Sequence, residues 1–278
     1  MHITIVTCVT KPDVYETCLL KSIYVTKGHH IIDILPIHNK NRVYTAPVAF
    51  NIALESSKSD IIIFCHQDVR LLPGFFENLE QYIMLLPRWA IIGVAGISLS
   101  YGIDDIKPAG GSKHDTTIAV GKVWHTDNIN NPPYWDGDNN LTPVHCVDEV
   151  LFVYNRQAGL KFDTMLLGFH GYGIDLSLEA RHKQESVYAA NLPIIHYGEH
   201  SSSITCDRSY WQSLRKLAYK WGQHFPILLG TFMHWKIDSK ETSITSYIPM
   251  SLEDDSGIQI QISSIEIKNL KCSTDGLV

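Results

Sequence analysis

The sequence has no pair of cysteines at CxxC spacing, although six cysteines occur, at positions 8, 18, 65, 146, 206 and 272. Without that spacing neither a zinc knuckle nor a dithiol redox pair is indicated, and several of the six lie inside apolar runs, so reduced and buried thiols are expected. Positive charge is not in excess either. A formal net charge of −6 gives no electrostatic footprint for nucleic acid or anionic lipid. No apolar run reaches the roughly 18 residues of a membrane span. The opening stretch MHITIVTCVTKPD starts with a strand-like run instead of the basic-then-apolar layout of a secretory leader. Internal repeats and low-complexity tracts are also missing. What is left is a globular chain of 278 residues, 45% hydrophobic and 19% charged. It is expected in the cytoplasm, with peripheral attachment to a membrane left open.

What the chain does have is an alternation of buried strands and helices. ITIVTCV (3–9) reads as a first strand, VYETCLLKSIYV as a helix, HIIDILP (30–36) as a second strand, and APVAFNIALESS as a helix opened by Pro47. DIIIFCHQDVRLLPGFF (60–76) follows. Its apolar run Ile61–Cys65 is short and bulky enough for a strand buried on both faces, and it stops at His66-Gln67-Asp68. Pro73 is placed to open the next helix, so His66 and Asp68 fall at the carboxyl end of a sheet strand, where open α/β sheets bind ligands. WAIIGVAGIS (89–98) is a further strand, whose Gly93 and Gly96 suggest close backbone approach. From Leu99 to about Val144 the chain is rich in Gly, Pro, Asn and Asp, which suits binding loops, with TTIAVGKVW as a strand and Tyr134 and Trp135 suited either to stacking on a sugar face or to anchoring the loop through one buried Trp. VDEVLFVY (147–154) and PIIH (193–196) read as strands. IDLSLEARHKQ and YWQSLRKLAYKWGQHF read as helices, the first with Glu179 and Lys183 at i,i+4 spacing. Beyond about Lys236 the chain turns polar, and GIQIQISSIEIKN alternates like a hairpin or edge strand.

Three places could carry chemistry. Asp68 at one strand tip and His196 at another could each give one ligand to a divalent ion holding a diphosphate, with the other positions left to phosphate oxygens and water. The plain alternatives are a turn carboxylate before Pro73 and a half-buried histidine closing a strand. Asp175, after GFHGYG, could deprotonate a hydroxyl nucleophile, or could simply cap its helix. Asp148 is a second candidate base. A nucleotidyltransferase reading would want a glycine-rich phosphate loop after the first strand, and TCVTKPD has Lys11 but no glycine.

The ordered set IIIFCHQDVRL, VDEVLFVYNR…LKFD, GFHGYGIDLSLEAR and PIIHYGEHS resembles family 2-type glycosyltransferases of the GT-A fold, in the bacterial branch with HQD in place of DXD. The resemblance covers roughly residues 1–235 and leaves 236–278 as a polar C-terminal extension with a β-hairpin. It implies an α/β fold with a mostly parallel central sheet and helices on both faces. It also implies a UDP- or GDP-linked sugar as donor, Mn²⁺ or Mg²⁺ as cofactor, and inverting transfer to a hydroxyl on a glycan, a lipid-linked acceptor or a small molecule. By the same resemblance Asp68 is a ligand to metal or diphosphate, His196 closes the metal site, and Asp175 is the general base. Thr7 and Asn39 are the nucleotide contacts at the first two strand tips. Two positions depart from the pattern: His66 stands where DXD has its first carboxylate, and Gly173-Ile174 precede Asp175 where a glutamate is usual. Both favour the rival reading, a domain that binds a nucleotide-sugar or glycan without turnover.

Overall fold

The run Ile61–Cys65 is a strand whose side chains alternate between two apolar layers, Ile62 and Phe64 in one and Ile63 and Cys65 in the other. A strand packed in this way is covered on both faces. The structure, a computed structural model, describes residues 1–100, 119–125, 127, 133, 135–137, 139–198, 208–222, 224 and 225, with the backbone of six strands between 227 and 267.

In chain order, β1 (His2–Val9) leads into α1 (Pro12–Tyr15), a π-helical stretch (Glu16–Leu20) and α2 (Lys21–Thr26), which together fill the first expected helix. β2 (Ile31–His38), α3 (Ala46–Ser56), β3 (Ile61–Cys65), β4 (Val69–Leu71) and α4 (Phe75–Leu85) follow. Pro73 does not itself open α4; Gly74, at φ 89°, makes the turn into it. The strand expected over 89–98 is two, β5 (Ile91–Gly93) and β6 (Ala95–Ser98). Gly93 and Gly96 are sites of close approach: a Cβ at Gly93 would lie 2.5 Å from that of Val147, and one at Gly96 2.9 Å from the Cys146 carbonyl. Next come β7 (Ala119–Val123), β8 (Trp135–Asp136), β9 (Thr142–Val147), β10 (Leu151–Asn155), α5 (Tyr172–His182), β11 (Val187–Ala189), β12 (Ile194–His196) and α6 (Arg208–Trp221). Most of the 99–144 loops, Tyr134 among them, fall outside the described residues.

The central sheet has ten strands in the order β2-β1-β3-β10-β5-β11-β9-β6-β7-β8. It is mixed, which corrects the expectation of mostly parallel pairing. β1 runs parallel to β2 and β3, and β5 to β11, while the other neighbouring pairs are antiparallel. Apolar runs report burial and not direction, so β10, buried along most of its length between β3 and β5, reads like a parallel strand. Side chains of α3, α5 and α6 pack on one face, and those of the α1–α2 stretch and α4 on the other. The expected α/β architecture with helices on both faces holds.

Further along, β14 (His234–Asp238), which spans the 235/236 division, pairs with β13 (Ile227–Leu229) and β15 (Ser243–Ser246). Among the described residues of the alternating run near 257–269, the two strands pair with other strands and not with each other. β17 (Gln259–Ile262) pairs with β16 (Met250–Glu253), and β18 (Ile265–Ile267) pairs with β15.

Candidate functional site

The polar tip of β3 is fixed from both sides. The His66 N–H donates to the Val150 carbonyl at 2.9 Å, which ties the tip to the turn between β9 and β10. Just beyond it, β4 pairs antiparallel with β12 so that Val69 faces His196, and the Tyr197 N–H donates to the Asp68 carbonyl at 2.9 Å. Antiparallel pairing puts the start of one strand beside the end of the other, so two segments far apart in sequence deliver their polar residues to one spot. His66 Nδ1 lies 3.3 Å from His196 Nε2, which lies 3.4 Å from Asp68 Oδ1. One ligand atom from each of the three residues falls within 4.8 Å of the others.

The protonation pattern follows from the outer contacts. The Tyr172 hydroxyl donates to the Glu149 carbonyl at 3.2 Å, and its oxygen lies 3.4 Å from His66 Nε2. A carbonyl can only accept, so the hydroxyl oxygen is left to accept the Nε2–H of His66. His66 then presents the bare lone pair of Nδ1 to its two neighbours. Burial, with the adjacent His196, pulls its pKa down to about 4 against the pull of Asp68 and Asp148, so the ring is neutral at pH 7. Burial pushes the Asp68 carboxyl upward, but the hydrogen bond from His196 and the fields of both histidines outweigh it and bring it to about 2. Two imidazole nitrogens and an ionised carboxylate that converge at these separations fit a divalent ion. Ligand atoms around such an ion with bonds near 2.1 Å sit about 3.0–3.4 Å apart. Gly198 leaves room for the arrangement: a Cβ there would lie 2.6 Å from His196 Cε1 and 2.7 Å from Nε2.

The middle residue of the tripeptide turns the other way. Gln67 Oε1 accepts from the Thr10 and Lys11 N–H groups at 2.8 and 2.9 Å, and Nε2 donates to the Thr10 hydroxyl at 2.8 Å. At the rim, the Arg70 guanidinium pairs with Asp127, which also accepts from the Tyr197 hydroxyl.

Of the sequence-predicted residues, the structure brings Asp68 and His196 together and adds His66. Thr7 is fully buried at the tip of β1, and its hydroxyl oxygen is buried with no hydrogen-bond partner. Asn39 is buried with both amide atoms used on its own loop: Nδ2 donates to the Tyr44 carbonyl at 2.8 Å and Oδ1 accepts from the Tyr44 N–H at 3.1 Å. Asp175 is not in the cluster. Its residue is 1% exposed and its carboxylate faces α6, with Oδ1 accepting from Trp221 Nε1 at 2.7 Å and Oδ2 from Lys220 Nζ at 3.1 Å. Burial pushes its pKa up, while Lys220 and Trp221 pull it down.

Sequence reasoning missed the Tyr172–Glu149 support of His66. The Glu149 side chain accepts from the Gly173 N–H at 2.8 Å at the start of α5, where a bulkier residue than glycine would press on its Cγ. Burial pushes the Glu149 carboxyl up to about 8, with Asp148 adding to the rise and the Gly173, Gly171 and Tyr172 N–H groups opposing it. The one available signal was the departure at Gly173-Ile174, where the pattern expects a glutamate before the aspartate.

A family described as a glycosyltransferase-like family matches residues 4–217, and the chain belongs to it. A curated relative from Fuscovulum blasticum, named ATP synthase subunits region ORF 6, is 26% identical over 185 residues; the match covers 65% of this chain and 66% of the relative. Among solved structures, S. aureus TarS (residues 1–349) aligns at 8% identity and a TM-score of 0.47 over 80% of this chain and 66% of its own. The mannosyltransferase PcManGT of Pyrobaculum calidifontis, solved with GDP-Man and Mn²⁺, aligns at 9% and 0.47 over 78% and 63%. The chain thus spans about two thirds of the length of these relatives. Among the described residues no helix is long and apolar enough to cross a membrane.

Proposed function

We propose that the chain is a glycosyltransferase of GT-A type that moves a sugar from a nucleoside-diphosphate donor to a hydroxyl acceptor, with inversion at the anomeric carbon and help from a divalent ion. The observation that carries this reading is the convergence of His66, Asp68 and His196 at the strand ends of a chain in a glycosyltransferase-like family. These three side chains would hold Mn²⁺ or Mg²⁺, which when bound neutralises charge on the leaving diphosphate. Thr7, with its buried unpartnered hydroxyl at the tip of β1, marks the nucleotide end of the site. Asn39 shapes the neighbouring loop, and so acts on the nucleotide indirectly.

For the base we turn from Asp175 to Asp148. Asp175 is held on both oxygens away from the cluster. Asp148 lies in the turn whose Val150 carbonyl receives the His66 N–H, and it acts electrostatically on His66. Its Oδ1 accepts from the Val150 N–H at 2.9 Å, and in this reading the carboxylate takes the proton of an acceptor hydroxyl as that oxygen attacks. In this reading residues 236–278 are an extension appended to the transferase domain of residues 1–235, and the protein works in the cytoplasm. Incubation with a panel of UDP- and GDP-sugars and Mn²⁺, followed for nucleoside diphosphate release and sugar transfer, tests this. Transfer or donor hydrolysis that is lost in Asp68→Ala supports it. Donor binding with no turnover from any donor makes the chain a binding domain instead.

A further inference from the structure

We infer that His29, His30 and Glu80 form a second, structural ion site, which takes Zn²⁺ or a similar borderline divalent ion and ties the turn before β2 to α4. Among the described residues these three converge as the strand-tip cluster does, with one ligand atom from each within 4.8 Å of the others. The inference is independent of the sugar-transfer reading. β1, β2 and β3 run parallel, so this turn, at the amino end of β2, is a sheet's length away from the strand-tip cluster, roughly 20 Å at about 3.3 Å per residue.

Local structure turns the two histidines to one place. Consecutive side chains of an extended chain diverge. Here the His30 N–H closes a turn on the Lys27 carbonyl at 3.0 Å, with Gly28 at φ 53°, and the two rings rest with centroids 4.1 Å apart. His30 is buried against Phe76, with 5.6 Å between ring centroids, while His29 stays mostly exposed. Phe76 and Glu80 are four residues apart on α4 and so share one side of it. The helix supports His30 with the first and offers a carboxylate to His29 with the second. His29 Nε2 lies 3.8 Å from Glu80 Oε2, too far for a hydrogen bond. Two ligands of a tetrahedral ion with bonds of about 2.1 Å stand about 3.4 Å apart, so a small closure admits the ion. Two imidazoles and one carboxylate are a zinc donor set, with water completing the shell. The Met1 ammonium donates to His30 Nδ1 at 3.2 Å, and the ion has to displace a proton from that pair to use the ring.

The test uses the full chain without a histidine tag, stripped with a chelator and titrated with Co²⁺, whose visible absorption reports its ligands, with Zn²⁺ as competitor. Asp68→Ala with His196→Ala removes the strand-tip cluster and serves as background. In that background Co²⁺ should still bind, at about one ion per chain, and Zn²⁺ should displace it. Adding His29→Ala or Glu80→Gln, at an exposed and a half-exposed position, should weaken that binding at least about tenfold. If the background fails to fold, equilibrium dialysis of Zn²⁺ against the chain with its strand tips intact should count about two ions, falling to about one in His29→Ala. No ion held by the folded background overturns the inference, as does an affinity unchanged by both added substitutions or a dialysis count unchanged by His29→Ala. Sugar transfer should be the same in His29→Ala as in the wild type. Absence of transfer from every donor would defeat the proposed function and leave this site standing.

Discussion

Asp175 offers the sharpest test, because two roles predict opposite outcomes for one substitution. In Asp175→Asn the side chain keeps its volume and an acceptor oxygen for Trp221 Nε1, now at 2.7 Å, but loses the charge beside Lys220 Nζ, 2.9 Å from Oδ1. A unit pair about 3 Å apart at an effective dielectric of about 20 interacts by about 5 kcal/mol, and desolvation of the buried carboxylate cancels most of it. Lys220 is partly exposed and keeps Asp163 at 3.0 Å, which reduces the loss further. The expected cost is about 2 kcal/mol, or about 4–8 °C in Tm for a chain of this size. Asp175→Ala also strands the buried indole N–H, at about 1–3 kcal/mol more. Thermal unfolding followed by tryptophan fluorescence reads this directly, since Trp221 is itself part of the contact. Turnover is measured in parallel, well below either Tm. An Asn variant with the wild-type Tm and no turnover would refute the clasp and restore Asp175 as the base.

Two further outcomes follow from the neighbouring groups. Glu149 titrates near 8 in the fold against an ordinary 4.5, so between these pH values the folded chain holds a proton that the unfolded chain has lost. Its contribution therefore weakens the fold as pH rises through that window, by at most about 5 kcal/mol. Glu149→Gln, which can still accept from Gly173, should flatten that slope and raise the urea midpoint at pH 8.5 while leaving it unchanged at pH 4.5; parallel profiles would reject this. Gly198→Ala should force the His196 ring aside and weaken Mn²⁺ binding about tenfold with little change in metal-free Tm. Unchanged Mn²⁺ affinity in calorimetry would show that the ring has room after all.

Much of the site was legible because strand tips announce themselves. An apolar run such as Ile61–Cys65 that ends abruptly in His-Gln-Asp marks a buried strand and its exit, and PIIH marks another. What joins them was not legible. β4 is three residues long and too short to show a period, yet its pairing with β12 sets Asp68 against His196. Tyr172 reads simply as an aromatic near a helix start, and nothing local ties it to His66, 106 residues away. The facing of Asp175 depends on α6, which brings Trp221 and Lys220 to it. The amphipathic stripe that revealed α6 states which of its sides is buried, but not which helix it meets.

The outward turn of Gln67 gives the tripeptide a second duty. Its flanking residues join His196 in one cluster and its centre grips the backbone at Thr10 and Lys11, so three consecutive side chains act as a gauge block between that cluster and the loop after β1. The distance from the cluster to that loop is set within a single turn of chain. A donor of the proposed kind, whose diphosphate and base are bridged by a ribose of fixed length, would need such a spacer. Loss of Gln67 would leave each end intact and spoil only their agreement.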